Sequence, residues 1–208
     1  MQDAFVGTWA QESHLSAEML GSLRALNHLF LDLTAARKGL WAASGAAAPA
    51  LRLAGQVAPL SAAQRAAAAG CPYALFDLRF QDEGYWRLRL QNSDAGNVAE
   101  QSMADDDTVT FVRLALFYAW HVASTAGIAA QLVLGMNGDT AAAFRGIPLN
   151  RLPALVVTES VHLSARWSDC TAYWSALTAA ASRADPAALR RVQLYGLQLA
   201  AAARLSNG

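Results

Sequence analysis

Arg145, Asn150, Arg151 and Arg166 lie close together in the second half of the chain. Arginine forks suit phosphate and guanine edges, and asparagine suits adenine. Helix-turn-helix reading needs such groups near the start of a second helix. Here the turn runs from Gly135 to Pro148, and the next helix offers Asn150 and Arg151. Arg190 and Arg191 add cations for phosphate contact. The competing reading is structural, because a short helical hairpin with glycine and proline is common in any helical protein.

Catalytic patterns are harder to find. His14, His28, His121 and His162 fall in separate elements, with no His-x-x-x-His pair and no Cys-x-x-Cys. His28 and Asp32 stand one turn apart, as a helix-surface pair would. His121 sits in the most apolar stretch and reads as a core histidine. There is no phosphate loop, nucleophile elbow or dinucleotide fingerprint. The expectation is therefore no enzyme, no metal and no cofactor. Phe117, Tyr118 and Trp120 span more than one helix face, so either both faces are buried or one is an interface. Phe117, Trp120, Trp167 and Trp174 are the candidate partner-interface residues. Tyr85-Trp86 and Tyr173-Trp174 also read as seals over the core.

The 208 residues suit one domain or two small ones. Alanine supplies 47 of them, so the 54% hydrophobic fraction overstates the large apolar content. Charged residues make up only 15%, which suggests surface buried against a partner. Zero net charge argues against a broadly polybasic binder of nucleic acid or membranes. Cys71 and Cys170 cannot build a disulfide framework, so a reducing, cytoplasmic setting is expected. The first residues carry an acid and no basic region, unlike a secretory signal. From Leu114 to Asn137 no residue is charged. That length could span a bilayer, but His121, Ser124, Thr125 and Gln131 favour a buried core helix.

Apolar spacing predicts a helix over 13–37, with Ser13 as cap and Gly39 as stop. An Ala/Gly/Pro stretch follows over 42–59. A short helix capped by Ser61 runs to about Gly70. Leu75, Phe76, Leu78 and Phe80 alternate with polar residues as in a short strand. Residues 92–107 form an acidic linker, whose last acids read either as a helix start or as a docking surface. Further helices are expected over 108–134, 139–145, 149–158, 169–183 (capped by Asp169) and 185–205, with a second short strand near Val161–Trp167.

The two halves repeat the same order of elements. Pro59-Leu60 matches Pro148-Leu149, Arg79-Phe80-x-Asp82 matches Arg166-Trp167-x-Asp169, and Tyr85-Trp86 matches Tyr173-Trp174. The offsets stay within two residues of each other. Such a duplication would pack about a pseudo-two-fold axis, with the two short strands candidates to pair.

Leu134-Gly135-Met136-Asn137, then Ala142, Phe144, Ile147, Leu149, Leu152, Leu155, Thr158 and Arg166-Trp167 resemble the FlhD family. That family is a subunit of the bacterial flagellar transcriptional activator. The match is gapless over 134–169, and the helix over 111–131 fits the family's long first helix. Residues 23–80 resemble the same unit more loosely. The resemblance implies an all-α, mainly helical fold made of two FlhD-like repeats, over 1–91 and 108–208. It implies transcription control through assembly with an FlhC-like protein partner, and promoter DNA bound within the complex. Fused repeats would replace the family's homodimer, and a further homo-oligomer is compatible. The family's linking cysteine is Leu163 here, or Phe76 in the first copy, and its lysine-rich end is missing. DNA contact is therefore expected to be weak or shared with the partner. The alternative is a helical adaptor or chaperone-like protein of flagellar or secretion machinery without a DNA role. A small-ligand sensor would need a pocket between the copies.

Overall fold

The computed structural model describes residues 15–36, 48–91 and 105–206. It is all-α apart from one two-residue ladder. The first half holds α1 (Ala17–Ala36), α2 (Ala48–Val57), α3 (Ala62–Ala68), β1 (Phe76–Asp77) and α4 (Glu83–Gln91). The second holds α5 (Asp106–Thr125), α6 (Gly127–Val133), α7 (Gly138–Arg145), α8 (Leu152–Glu159), β2 (Ser164–Ala165), α9 (Thr171–Ser182) and α10 (Pro186–Ser206). Short 3-10 turns flank α8, over Leu149–Arg151 and Ser160–His162.

The two halves run in parallel. Helices α1 and α5 are each 20 residues long and start 89 positions apart, at Ala17 and Asp106. The starts of α2 and α7, and of α3 and α8, are 90 apart. Those of β1 and β2, and of α4 and α9, are 88 apart. The strands pair antiparallel, Phe76 with Ala165 and Asp77 with Ser164. Shifting each residue by 88 into the other half exchanges these two pairs.

Helix starts follow their caps. Ser61 and Gln64 close a reciprocal capping box on α3. Asp105 accepts from the Thr108 backbone N–H at 2.8 Å, and Asp106 and Asp107 occupy the first turn of α5. That is the helix-end role expected of these acids. The rest of the acidic linker, residues 92–104, and the Ser13 and Gly39 signals lie outside the described residues. On α1 it is Ser16 Oγ that accepts from the Met19 N–H, at 3.1 Å. Asp185 takes the N–H groups of Ala187 and Ala188 at 3.0 and 2.9 Å and starts α10.

Several expectations need correction. The long second-half helix is broken at Ala126, whose φ of −146° and ψ of 62° leave the helical region. Among the described residues, no helix is long and apolar enough to cross a membrane. The strands stop after two residues because the chain turns to positive φ at Arg79 (56°) and Trp167 (53°). Asp169 does not cap α9; Cys170 holds that position without a side-chain bond. Helix α2 replaces the unassigned 42–59 stretch over Ala48–Val57. Helix α4 has no counterpart in the sequence reading. Its signal was Asp82, whose carboxylate accepts from the Tyr85 N–H at 2.9 Å.

Helix α5 runs through the centre, with Phe111, Val112, Ala115, Leu116, Ala119 and Val122 buried. Phe30 of α1 and Phe76 of β1 meet the Phe111 ring at 5.9 and 5.1 Å. Asn27, fully buried on α1, pins the approach to β1: its amide donates to Tyr73 O at 2.9 Å and its oxygen accepts from Leu75 N–H at 2.8 Å. A buried amide with these bonds fixes register as well as adding stability.

Helix α10 closes one end over Tyr73, whose hydroxyl donates to Val192 O at 3.4 Å. Gly196 makes that approach possible, since a Cβ there would stand 2.0 Å from the Tyr73 hydroxyl oxygen. Gly196→Ala is therefore expected to lower the unfolding temperature. Helix propensity alone would raise stability by about 1 kcal/mol, so thermal unfolding separates the two effects by sign.

Candidate functional site

The segment carrying the candidate arginines begins where α6 ends. Gly135 has φ of 78°, and a Cβ there would come within 2.8 Å of Arg166 Nη2. Glycine is thus required by the backbone and by its neighbour. Asn137 then caps α7, accepting from Thr140 N–H at 2.6 Å. Its amide donates across to Gln81 O of the first half at 3.1 Å.

Arg166 is only 5% exposed, which removes it from the candidate DNA-contact set. Its Nη1 donates to Val133 O at 2.8 Å, and Val133 O also accepts from Ala74 N–H at 2.8 Å. Its backbone N–H donates to Leu75 O at 3.0 Å, and its carbonyl accepts from Trp174 Nε1 at 3.0 Å. The guanidinium lies 4.5 Å from the Trp167 ring centroid. Burial pulls its pKa down to about 10, with the Asp77 charge opposing that shift. Burial pushes the Asp77 carboxyl up, against the Phe80 N–H and the Arg166 charge. The guanidinium thus caps the carbonyl end of α6 from inside the protein, where cations are favoured.

The other three candidates take different places. Arg145 is exposed, with Nε donating to Ala123 O at 3.4 Å near the end of α5. Asn150 is exposed in the 3-10 turn. Arg151 is half-buried at the head of α8 and lines a cleft. Arg145 and Asn150 therefore lie at the surface, Arg151 in the cleft wall and Arg166 in the core. Helix α8 buries Leu152, Leu155, Val156 and Glu159, and exposes Pro153, Ala154 and Val157. That outer face has no group able to read a base edge.

The aromatic candidates divide likewise. Trp174 is 3% exposed and belongs to the core, not to an interface. Trp167 is half-buried, 5.3 Å from Tyr73 and 5.0 Å from Tyr173 between ring centroids. Phe117 and Trp120 are half-buried on α5, and the Trp120 indole donates to Ile147 O at 2.9 Å. His121 is exposed, not a core residue, because it falls on the outer side of α5. His28 Nε2 lies 3.8 Å from Asp32, as a helix-surface pair. No group of three or more His, Cys, Asp or Glu able to hold a metal occurs among the described residues.

Two polar clusters escaped the sequence reading. Glu159 is fully buried on α8, and the Tyr85 hydroxyl donates to its two oxygens at 2.8 and 2.7 Å. Arg89 Nε adds a bond at 3.1 Å, so α4 of the first half supplies both partners. The second cluster is Tyr173, Tyr73 and Cys71. The Tyr173 hydroxyl donates to Tyr73 at 3.2 Å and lies 3.9 Å from Cys71 Sγ. Tyr85 and Tyr173 are 88 positions apart, as are Cys71 and Glu159. That spacing was the available signal, but no pattern in either half gave the contacts.

No family model, curated protein or solved structure matches the chain.

Arg166→Ala is expected to cost about 3–5 kcal/mol in denaturant unfolding, while Arg145→Ala stays within about 0.5 kcal/mol. Alkaline pH should destabilise the fold. Burial raises the pKa of Tyr73, Tyr85, Tyr118 and Tyr173 above the ordinary 10.0. Their contribution is complete below pH 10 and is lost as pH rises, because the unfolded tyrosines ionise first. Denaturant midpoints at pH 9 and pH 11 should fall in that order, and Tyr73→Phe should shrink the difference.

Proposed function

We propose that this chain acts by protein–protein assembly, as an FlhD-like transcriptional regulator whose two covalently joined repeats take the place of a homodimer. DNA contact is then weak or supplied by an FlhC-like partner. The cytoplasm is its proposed setting. The constant spacing of elements and the exchange of the two ladder pairs support the duplication.

One observation carries the assembly reading. Helix α10 lies over Tyr73, and Tyr195 meets the Tyr173 ring at 6.3 Å. The positions 88 away are Val161, which is left open, and Tyr85, which is held by Glu159 of α8 with no helix corresponding to α10 over it among the described residues. Val161 and Leu88 are about 60% exposed there, at 62% and 60%, and Val157 is exposed beside them. Exposed apolar side chains on adjoining elements of a protein with few charges favour an interface there. The apolar outer face of α8 and the burial of Arg166 favour the partner over this chain as the source of DNA contact. The same two observations support the second reading, an adaptor without a DNA role.

A tagged full-length chain recovered gently from its native cells, with and without nuclease, separates the two readings. Promoter DNA lost on nuclease treatment, together with a retained partner, supports the regulator. A nuclease-resistant protein complex without enriched DNA overturns it and leaves the adaptor. Leu88→Glu with Val161→Glu should abolish partner capture without lowering the unfolding temperature, whereas Leu194→Glu on the outer face of α10 should leave capture intact.

A further inference from the structure

A cleft of about 360 Å³ opens between α4 of the first half and the α7–α8 turn of the second. This volume falls in the range of small-molecule sites, about 300–1,000 Å³. Trp86, Leu90, Ile147 and Leu155 make it apolar, and Glu83, Arg87, Asp139 and Arg151 supply charge. Arg87 is already paired with Glu83, at 3.2 Å. Arg151 is half-buried, and among the described residues no carboxylate pairs with it. Asp139 sits in the first turn of α7, where the helix N-terminus already favours its charge.

Thr140 stands in the same wall, 1% exposed, and its hydroxyl has no hydrogen-bond partner among the described residues. A buried hydroxyl left without a partner opposes folding, and nothing else in the fold makes use of this one. Apolar walls and a cation without a counter-ion therefore meet in one concave site, with the orphan hydroxyl buried just behind its wall.

We propose that this cleft binds a small apolar molecule bearing one carboxylate. The apolar body packs against Trp86, Ile147 and Leu155, and Arg151 takes the carboxylate. Arg151 is half desolvated before the ligand arrives, so pairing strengthens in that setting. Thr140 adds a polar contact once its side chain turns toward the ligand. Two sources share this chemistry: a simple apolar acid, and an apolar amino acid whose ammonium meets Asp139.

The test is a titration of the 15N-labelled full chain with phenylacetate and, separately, with L-phenylalanine. Saturable shifts are expected at the Trp86 indole N–H and at the amides of Ala142, Ala143 and Ile147. Arg151→Gln should weaken binding about tenfold with an unchanged unfolding temperature. Thr140→Val should raise the unfolding temperature and weaken binding, because the hydroxyl serves the ligand and not the fold. Tighter binding of phenylalanine that is lost in Asp139→Asn assigns an amino acid. Binding of phenylacetate at least as tight, indifferent to Asp139→Asn, assigns a simple acid. The proposal is overturned if neither probe gives saturable shifts, or if Arg151→Gln leaves the affinity unchanged. Either failure leaves the assembly reading standing, since that reading rests on Leu88, Val157 and Val161.

Discussion

A single buried cation holds the middle of this protein together. Arg166 reaches the carbonyl end of α6, the strand approach at Leu75, the indole of Trp174 on α9 and the face of Trp167. Removing an isolated guanidinium from water costs far more than one hydrogen bond returns. The surroundings must therefore be built around it. Gly135 gives up its side chain to make room, Val133 lends a carbonyl shared with Ala74, and Asp77 supplies opposing charge. These contacts come from both halves, so the central ladder and the turn before α7 are fixed by the same interaction.

The two ends of the molecule nevertheless differ. At corresponding positions, one carries a carboxylate clamped by tyrosine and arginine, Glu159 with Tyr85 and Arg89. The other carries a thiol beside two tyrosines, Cys71 with Tyr73 and Tyr173. Helix α10 covers the tyrosine–thiol end. The other end keeps exposed Leu88 and Val161 and, on another side of α4, the charged cleft. In the proposed reading, this asymmetry leaves the Leu88–Val161 end for assembly, while α10 seals the tyrosine–thiol cluster and carries its own exposed Leu194.

Much of the architecture was legible in the residues. Ser61, the acids at Asp105–Asp107 and Asp185 announced their helices, because a cap acts through three or four neighbouring residues, whereas the Asn137 cap was not singled out. The repeat spacing anticipated the pairing of β1 with β2. Less was legible where distant contacts decide. Arg166 reads as a surface cation until α6 is seen to end on it. Trp174 reads both as a seal over the core and as an interface residue, and its burial and its indole bond to Arg166 O decide for the core. The break at Ala126 lies in a long uncharged run, where Ser124-Thr125 before it and Gly127 after it were the only local signals. Of the candidate site, Arg151 alone moved into a cleft, whose facing wall comes from α4, an element that hydrophobic spacing did not reveal.

The most direct test is to ask whether the halves need each other. A protease site placed within residues 92–104 would allow the folded protein to be cut and the two pieces separated in denaturant. Because Arg166 and Asn137 of one piece bond Leu75 and Gln81 of the other, neither piece should fold alone. Mixed and refolded, they should give a one-to-one complex with the helical circular dichroism of the uncut chain. A piece that folds by itself to a stable monomer would contradict the shared core on which this interpretation rests.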